Sequence, residues 1–213
     1  KMMAKLMIDS VANWASAYKL DGFRFDLMGH QPKAVMLDLQ TKVNAAAGRP
    51  LYYYGEGWNF GEVADDKLFV QATQKNMAGT GIGTFSDRAR DSIRGGGPFD
   101  SGLWHLKNQG FINGLFYDDN GSGSGATVAN LNSTADMVRL GFAGTLKDYS
   151  LLLSDDTTKK GSEIMYGGSQ AAGYAADPQE IINYVDKHDN ETLFDINTYK
   201  LPATTSAADR VRV

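Results

Sequence analysis

Three apolar, strand-like runs of this chain each end in an acid, and no other feature limits the folds open to it as much. They read Gly22-Phe23-Arg24-Phe25-Asp26-Leu27-Met28-Gly29-His30, Tyr52-Tyr53-Tyr54-Gly55-Glu56-Gly57-Trp58 and Tyr184-Val185-Asp186-Lys187-His188-Asp189-Asn190. Alternation along a strand puts Phe23, Phe25 and Leu27 on one side of the first run, and Arg24 and Asp26 on the other. One side suits packing; the other suits chemistry. Asp26 and Glu56 are 30 residues apart, about one βα unit of an eight-stranded barrel of roughly 250 residues. The sequence between them supplies a crossover. Pro32 to Ala47 carries Val35, Leu39 and Val43 at helical spacing, and Gly48-Arg49-Pro50 ends it. Upstream, Met7, Val11, Trp14 and Tyr18 form the stripe of an amphipathic helix. Helix, strand, helix, strand with short links implies a parallel α/β architecture.

Beyond Glu56 the regularity loosens. Gly79 to Phe85 reads as a strand followed by a helix, Gly95 to about Gly125 as glycine-rich loop, and residues 133–143 as a helix capped by Ser133 or Thr134. Lys147 to Gly173 reads as polar loop, and Ala207 onward as the start of a helix. The 213 residues include 42% hydrophobic and 22% charged side chains, enough for a sizeable core. A net charge of −4 with dispersed Lys and Arg gives no electrostatic reason to bind nucleic acid. No apolar run of about 18 residues is present, so there is no membrane segment in this chain. Cysteine is absent, which removes disulfides, thiol catalysis and thiolate metal sites without fixing a compartment.

Each acid taken alone fits a helix cap or an ion-pair partner. Three at the C-terminal ends of strands fit one shared site, since barrel enzymes draw catalytic groups from several strand ends. Retaining cleavage of a glycosidic bond needs a carboxylate nucleophile and a second carboxyl to protonate the leaving oxygen, roughly 5–5.5 Å apart. Arg24 would keep Asp26 ionised, and aromatic surroundings would keep Glu56 protonated. Gly55 and Gly57 would let a substrate approach the backbone, or simply turn the chain.

GFRFD, GEGW and KHDN, in this order, resemble three sequence regions of the α-amylase clan of glycoside hydrolases. The stretches YYYGEGWNFGEV (52–63), FSDRARDSIRGGGPFD (85–100), QGFINGLFYD (109–118) and AGYAADPQEIINYVDKHDNETLFD (172–195) resemble bacterial type I pullulanases. The resemblance spans nearly the whole chain. It implies Asp26 as nucleophile, Glu56 as general acid/base and Asp189 as the transition-state-stabilising aspartate. It also implies Arg24, His30, Trp58 and His188 as substrate contacts. The implied fold is α/β: about strands 4–7 of a (β/α)8 TIM barrel with a loop-rich insertion, all of residues 1–213 belonging to that one catalytic domain. The implied activity is hydrolysis of α-1,6-glucosidic linkages in an α-glucan polysaccharide such as pullulan, amylopectin or limit dextrin, by a bacterial protein that is secreted or at the cell surface, with a cytoplasmic location as the alternative. No cofactor is required.

The family's earlier aspartate-bearing strand end is absent before Lys1. The chain is therefore expected to be an internal fragment, inactive alone. Isoamylases, α-amylases and branching enzymes share these acids and remain alternatives, as does a non-catalytic glucan-binding barrel. Weaker signals point elsewhere. Asp118 to Gly123 resembles the start of a calcium loop, but Ala129 stands where a closing glutamate belongs. Calcium elsewhere in the family keeps a structural ion in view. GTGIGT lacks dinucleotide-loop spacing, and His30, His105 and His188 are too dispersed to argue for a metal site.

Overall fold

The computed structural model describes residues 1–213. Helix α1 (Met2–Ala17) leads into strand β1 (Gly22–Phe25), and α2 (Lys33–Ala47) crosses over to β2 (Tyr52–Gly55). The short α3 (Gln74–Met77) precedes β3 (Gly83–Phe85) and α4 (Asp87–Arg94). Then come α5 (Leu103–Lys107), α6 (Val128–Phe142), β4 (Ser150–Leu152), β5 (Thr158–Lys160), β6 (Met165–Tyr166) and β7 (Gln170–Ala171). Strand β8 (Ile181–Ile182), α7 (Leu193–Lys200) and α8 (Ala207–Arg212) complete the chain. None of the helices is long and apolar enough to cross a membrane.

The chain divides into two units, one of Lys1–Phe85 with Tyr174–Ile182, the other of Ser86–Gly173 with Asn183–Val213. The first is built on a parallel sheet in the order β1-β2-β3-β8. Parallel strands need crossovers, and α2 provides the first. It ends where Gly48 takes a left-handed conformation at φ 70°, as a helix C-terminus prefers. Met36, Leu39 and Val43 from α2 join Ile8, Ala15, Met28, Tyr53 and Ile82 in the core, and Phe23 and Phe25 pack against it. Truncating Leu39, fully buried, to alanine should cost about 2–5 kcal/mol. This mixed α/β content agrees with the expectation, but the sheet has four strands and closes no barrel.

Two local expectations need correction. Helix α1 turns Ile8, Val11, Ala12 and Ala15 to the core, while Trp14 and Tyr18 are exposed and rest on each other at 4.5 Å. Two large rings thus cover one another, while smaller side chains allow close helix packing. Strand β1 stops at Phe25, and Leu27 takes φ 44° and lies 44% exposed instead of joining the packing face. The chain must turn there because the Leu27 N–H is held by Glu56 Oε2 at 2.8 Å.

In the second unit, α6 begins earlier than expected. Thr127 caps it in a reciprocal box with Asn130, and Ser133 lies within the helix. The supposed loop from Lys147 to Gly173 contains two antiparallel ribbons, β4 with β5 and β6 with β7. Leu140, Leu151, Ile164 and Ala172 bury themselves between α6 and these ribbons. Against its polar sequence, α4 buries Arg88, Arg90 and Arg94.

Candidate active site

Strands β1 and β2 are paired in register, Phe25 opposite Gly55, so Asp26 and Glu56 leave neighbouring strand ends side by side. Backbone bonds fix that exit. The Glu56 N–H donates to Phe25 O at 3.1 Å, and the Gly29 N–H donates to Glu56 O at 2.8 Å. Between the two carboxylates sits Arg24, bonded to Asp26 Oδ1 through Nη1 and 3.0 Å from Glu56 Oε1 through Nη2. The guanidinium also lies 5.5 Å from the Phe85 ring centroid at the end of β3, a cation–π contact that braces it.

The two acids differ in exposure. The Glu56 side chain is 5% exposed and that of Asp26 is 66%. Sequence reasoning assigned Arg24 to Asp26 alone and an aromatic setting to Glu56. Instead the arginine serves both, and the second Glu56 oxygen accepts from the Leu27 N–H. With both acceptor oxygens engaged, delivering a proton from Glu56 requires one of them to turn toward the leaving group.

The glycines flanking Glu56 serve close backbone packing, a use apart from both substrate approach and chain turning. A Cβ on Gly55 would come within 2.6 Å of Phe25 O, and one on Gly57 within 2.7 Å of Gln74 N. The space beside them is filled by the protein's own backbone. His30 follows on a single 3₁₀ turn and sets its ring edge-on to Phe60 at 4.6 Å. Trp58 is half-buried two residues beyond Glu56.

In the second unit, Asp189 is paired with Lys187, Nζ to Oδ2 at 3.4 Å, and accepts the Asn190 N–H at 2.9 Å. Desolvation pushes the Asp189 carboxyl up, but the Lys187 charge and hydrogen bond, then the Asn190 N–H, outweigh it and hold the carboxyl below its usual range. His188 between them is exposed. The Lys187 side chain is only 8% exposed. The i, i+2 spacing of Lys187 and Asp189 was the available signal. Phe85 was missed as well, although it ends the next strand of the same sheet.

No family model matches the chain. A curated pullulanase of Klebsiella pneumoniae is 48% identical over 221 aligned residues, covering 100% of this chain and 19% of that protein. This chain is thus homologous over its whole length to a segment of that pullulanase. "Pullulanase 1, chloroplastic" of Arabidopsis thaliana is 44% identical, again over 100% of this chain and 23% of that protein. A crystal structure titled as a maltotriose complex of Klebsiella pneumoniae pullulanase superposes with a TM-score of 0.90 at 46% identity, covering 99% of this chain and 20% of that one. The chain thus spans about a fifth of the length of the pullulanases it matches.

Proposed function

We propose that the protein carrying this chain is a pullulanase-type debranching hydrolase of the α-amylase clan, cleaving α-1,6-glucosidic linkages with retention, and that residues 1–213 supply part of its (β/α)8 catalytic barrel. The observation that carries this reading is Arg24 bridging two carboxylates on adjacent parallel strand ends, in a segment homologous throughout to pullulanases. In the first step, Asp26 attacks the anomeric carbon as the glycosidic C–O bond breaks, and Glu56 gives its proton to the departing oxygen. In the second, Glu56 takes a proton from water, whose oxygen displaces Asp26 from the same carbon. Arg24 orients Asp26. Asp189 is assigned the developing positive charge of the sugar, and His188, His30 and Trp58 contacts to its ring. The low-lying carboxyl of Asp189 supports that role, since the residue must remain ionised.

Product chromatography on two polymers tests the reading. The intact protein should release maltotriose from pullulan and leave linear amylose nearly untouched; rapid shortening of amylose with pullulan intact would replace this assignment with an α-amylase.

A further inference from the structure

In the second unit, a cavity of about 420 Å³ opens between the turn carrying Trp104 and the first turns of α6. That volume lies within the range of roughly 300–1,000 Å³ usual for small-ligand sites. Its wall includes an indole: Trp104 is 60% exposed. The Lys107 ammonium lies 5.7 Å from the Trp104 ring centroid and steadies the ring by cation–π attraction. Asn130 uses its side-chain oxygen to cap α6 at Thr127, so its amide nitrogen is left as a donor. Asn108 gives its amide nitrogen to Asp100 at 2.7 Å, so its side-chain oxygen is left as an acceptor. Ser133 and Thr134 add hydroxyls, and Lys107 is the sole charged side chain in the lining.

An anion would need more positive charge than one lysine, and an apolar ligand would leave the amides and hydroxyls unpaired. A pyranose meets both demands: its C–H face covers an indole, and its hydroxyls serve donors and acceptors in turn. The geometry points to a second carbohydrate-binding site, separate from the carboxylates, in which a short neutral glucan stacks on Trp104 and hydrogen-bonds to Asn108, Asn130 and Thr134. That the sugar is an α-glucan rests on the proposed function. Such a site would hold polymer on the unit that also carries Asp189. His105 Nε2 lies 3.6 Å from Glu191 Oε1, joining α5 to the Asp189 segment.

The test uses the intact protein in a Glu56→Gln background, which keeps the polymer uncut. Calorimetric titration with maltohexaose and electrophoresis through amylopectin gels are compared with and without Trp104→Ala. The substitution should remove one of two binding events and weaken retardation roughly 5- to 10-fold. Thr134→Val should act in the same direction and stays readable if Trp104→Ala fails to fold. In otherwise wild-type protein, Trp104→Ala should leave hydrolysis of a short branched oligosaccharide unchanged. Unchanged stoichiometry and retardation in folded Trp104→Ala or Thr134→Val would overturn the second site, whatever the hydrolysis assay shows. Trp104-dependent binding by a wild-type protein that cannot cut pullulan would instead sink the proposed function and leave this site standing.

Discussion

Arginine meets carboxylate under cover in both units, with opposite outcomes. At the β1 and β2 strand ends, Arg24 holds a buried Glu56 on one side and a 66% exposed Asp26 on the other. On α4, the side chains of Arg88, Arg90 and Asp91 are 5%, 6% and 13% exposed, and they are closed over by protein. Arg90 Nε donates to Asp91 at 2.7 Å and its Nη1 to Tyr184 Oη at 2.7 Å, while Tyr166 Oη donates to Asp91 Oδ2 at 2.5 Å. Burial raises the Asp91 carboxyl above its usual range against the pull of Arg90, and burial pushes the Tyr184 hydroxyl up to about 12. A cluster with its carboxylate closed in holds structure together. One that leaves a carboxylate facing water is available to a substrate.

The largest effect should separate the two by activity. In the intact protein, Asp26→Asn and Glu56→Gln should each lower kcat by several orders of magnitude while glucan binding survives, because they remove transition-state interactions. With an activated leaving group that needs no proton, azide should restore the first step for Glu56→Gln alone. Near-normal turnover in either variant would erase the functional side of the comparison.

The converse holds on α4. Arg90→Met leaves Asp91 buried beside Tyr166 without its cation, and breaking such a pair costs about 3–5 kcal/mol. Denaturant unfolding should show that loss while the remaining folded protein keeps its turnover. Lost turnover at full stability would instead place α4 with the catalytic machinery.

How much of this was legible in the sequence follows the same division. Asp26 and Glu56 stood out, with Arg24 between apolar neighbours, because acids close several apolar runs of one chain, whereas any one of them alone fits a cap or an ion pair. Their common contact through Arg24 depends on strand register, which no single run encodes. The arginines of Asp87–Arg94 were unreadable as core, since charge on a helix ordinarily marks its solvent face. The ribbons between Ser150 and Ala171 are two or three residues per strand, too short for alternation to register. Thr127 carries little signal as a cap, since it follows a glycine-rich stretch and Ser133 is an equally good capping residue farther along.

Another carboxylate, Glu180, sharpens the contrast, because backbone N–H groups rather than a cation hold it. Glu180 is 3% exposed and accepts the backbone N–H groups of Gly79, Gly81, Ala176 and Asp177. Burial pushes its carboxyl up, yet these four bonds prevail and hold it below its usual range. Glu180→Gln should cost about 1–3 kcal/mol at neutral pH, as donors lose a charged acceptor. A depressed native pKa stabilises the fold above the unfolded value, about 4.3 for Glu, and that contribution disappears as pH falls through the native one. The stability gap between wild type and Glu180→Gln should therefore be full at neutral pH and close in acid. A gap that persists unchanged at low pH would show that shape, not charge, holds this junction.

The smallest effect concerns Lys187 and Asp189, a pair that shares features of both regions: a covered cation, as on α4, and an open carboxylate, as at Asp26. Its side chains are 8% and 60% exposed, so solvent screens the attraction and little stability depends on it. What Lys187 sets is the charge state of its neighbour. Lys187→Met should move the Asp189 titration, followed by carboxyl-carbon NMR, upward toward the ordinary aspartate value, whereas Lys187→Arg should leave it low. Added salt should shrink the difference between wild type and Lys187→Met, because exposed charges are screened over about 10 Å at 0.1 M. An Asp189 titration unmoved by Lys187→Met would mean that the Asn190 N–H, not the lysine, keeps this carboxylate ionised, and Lys187 would then belong with the structural arginines of α4.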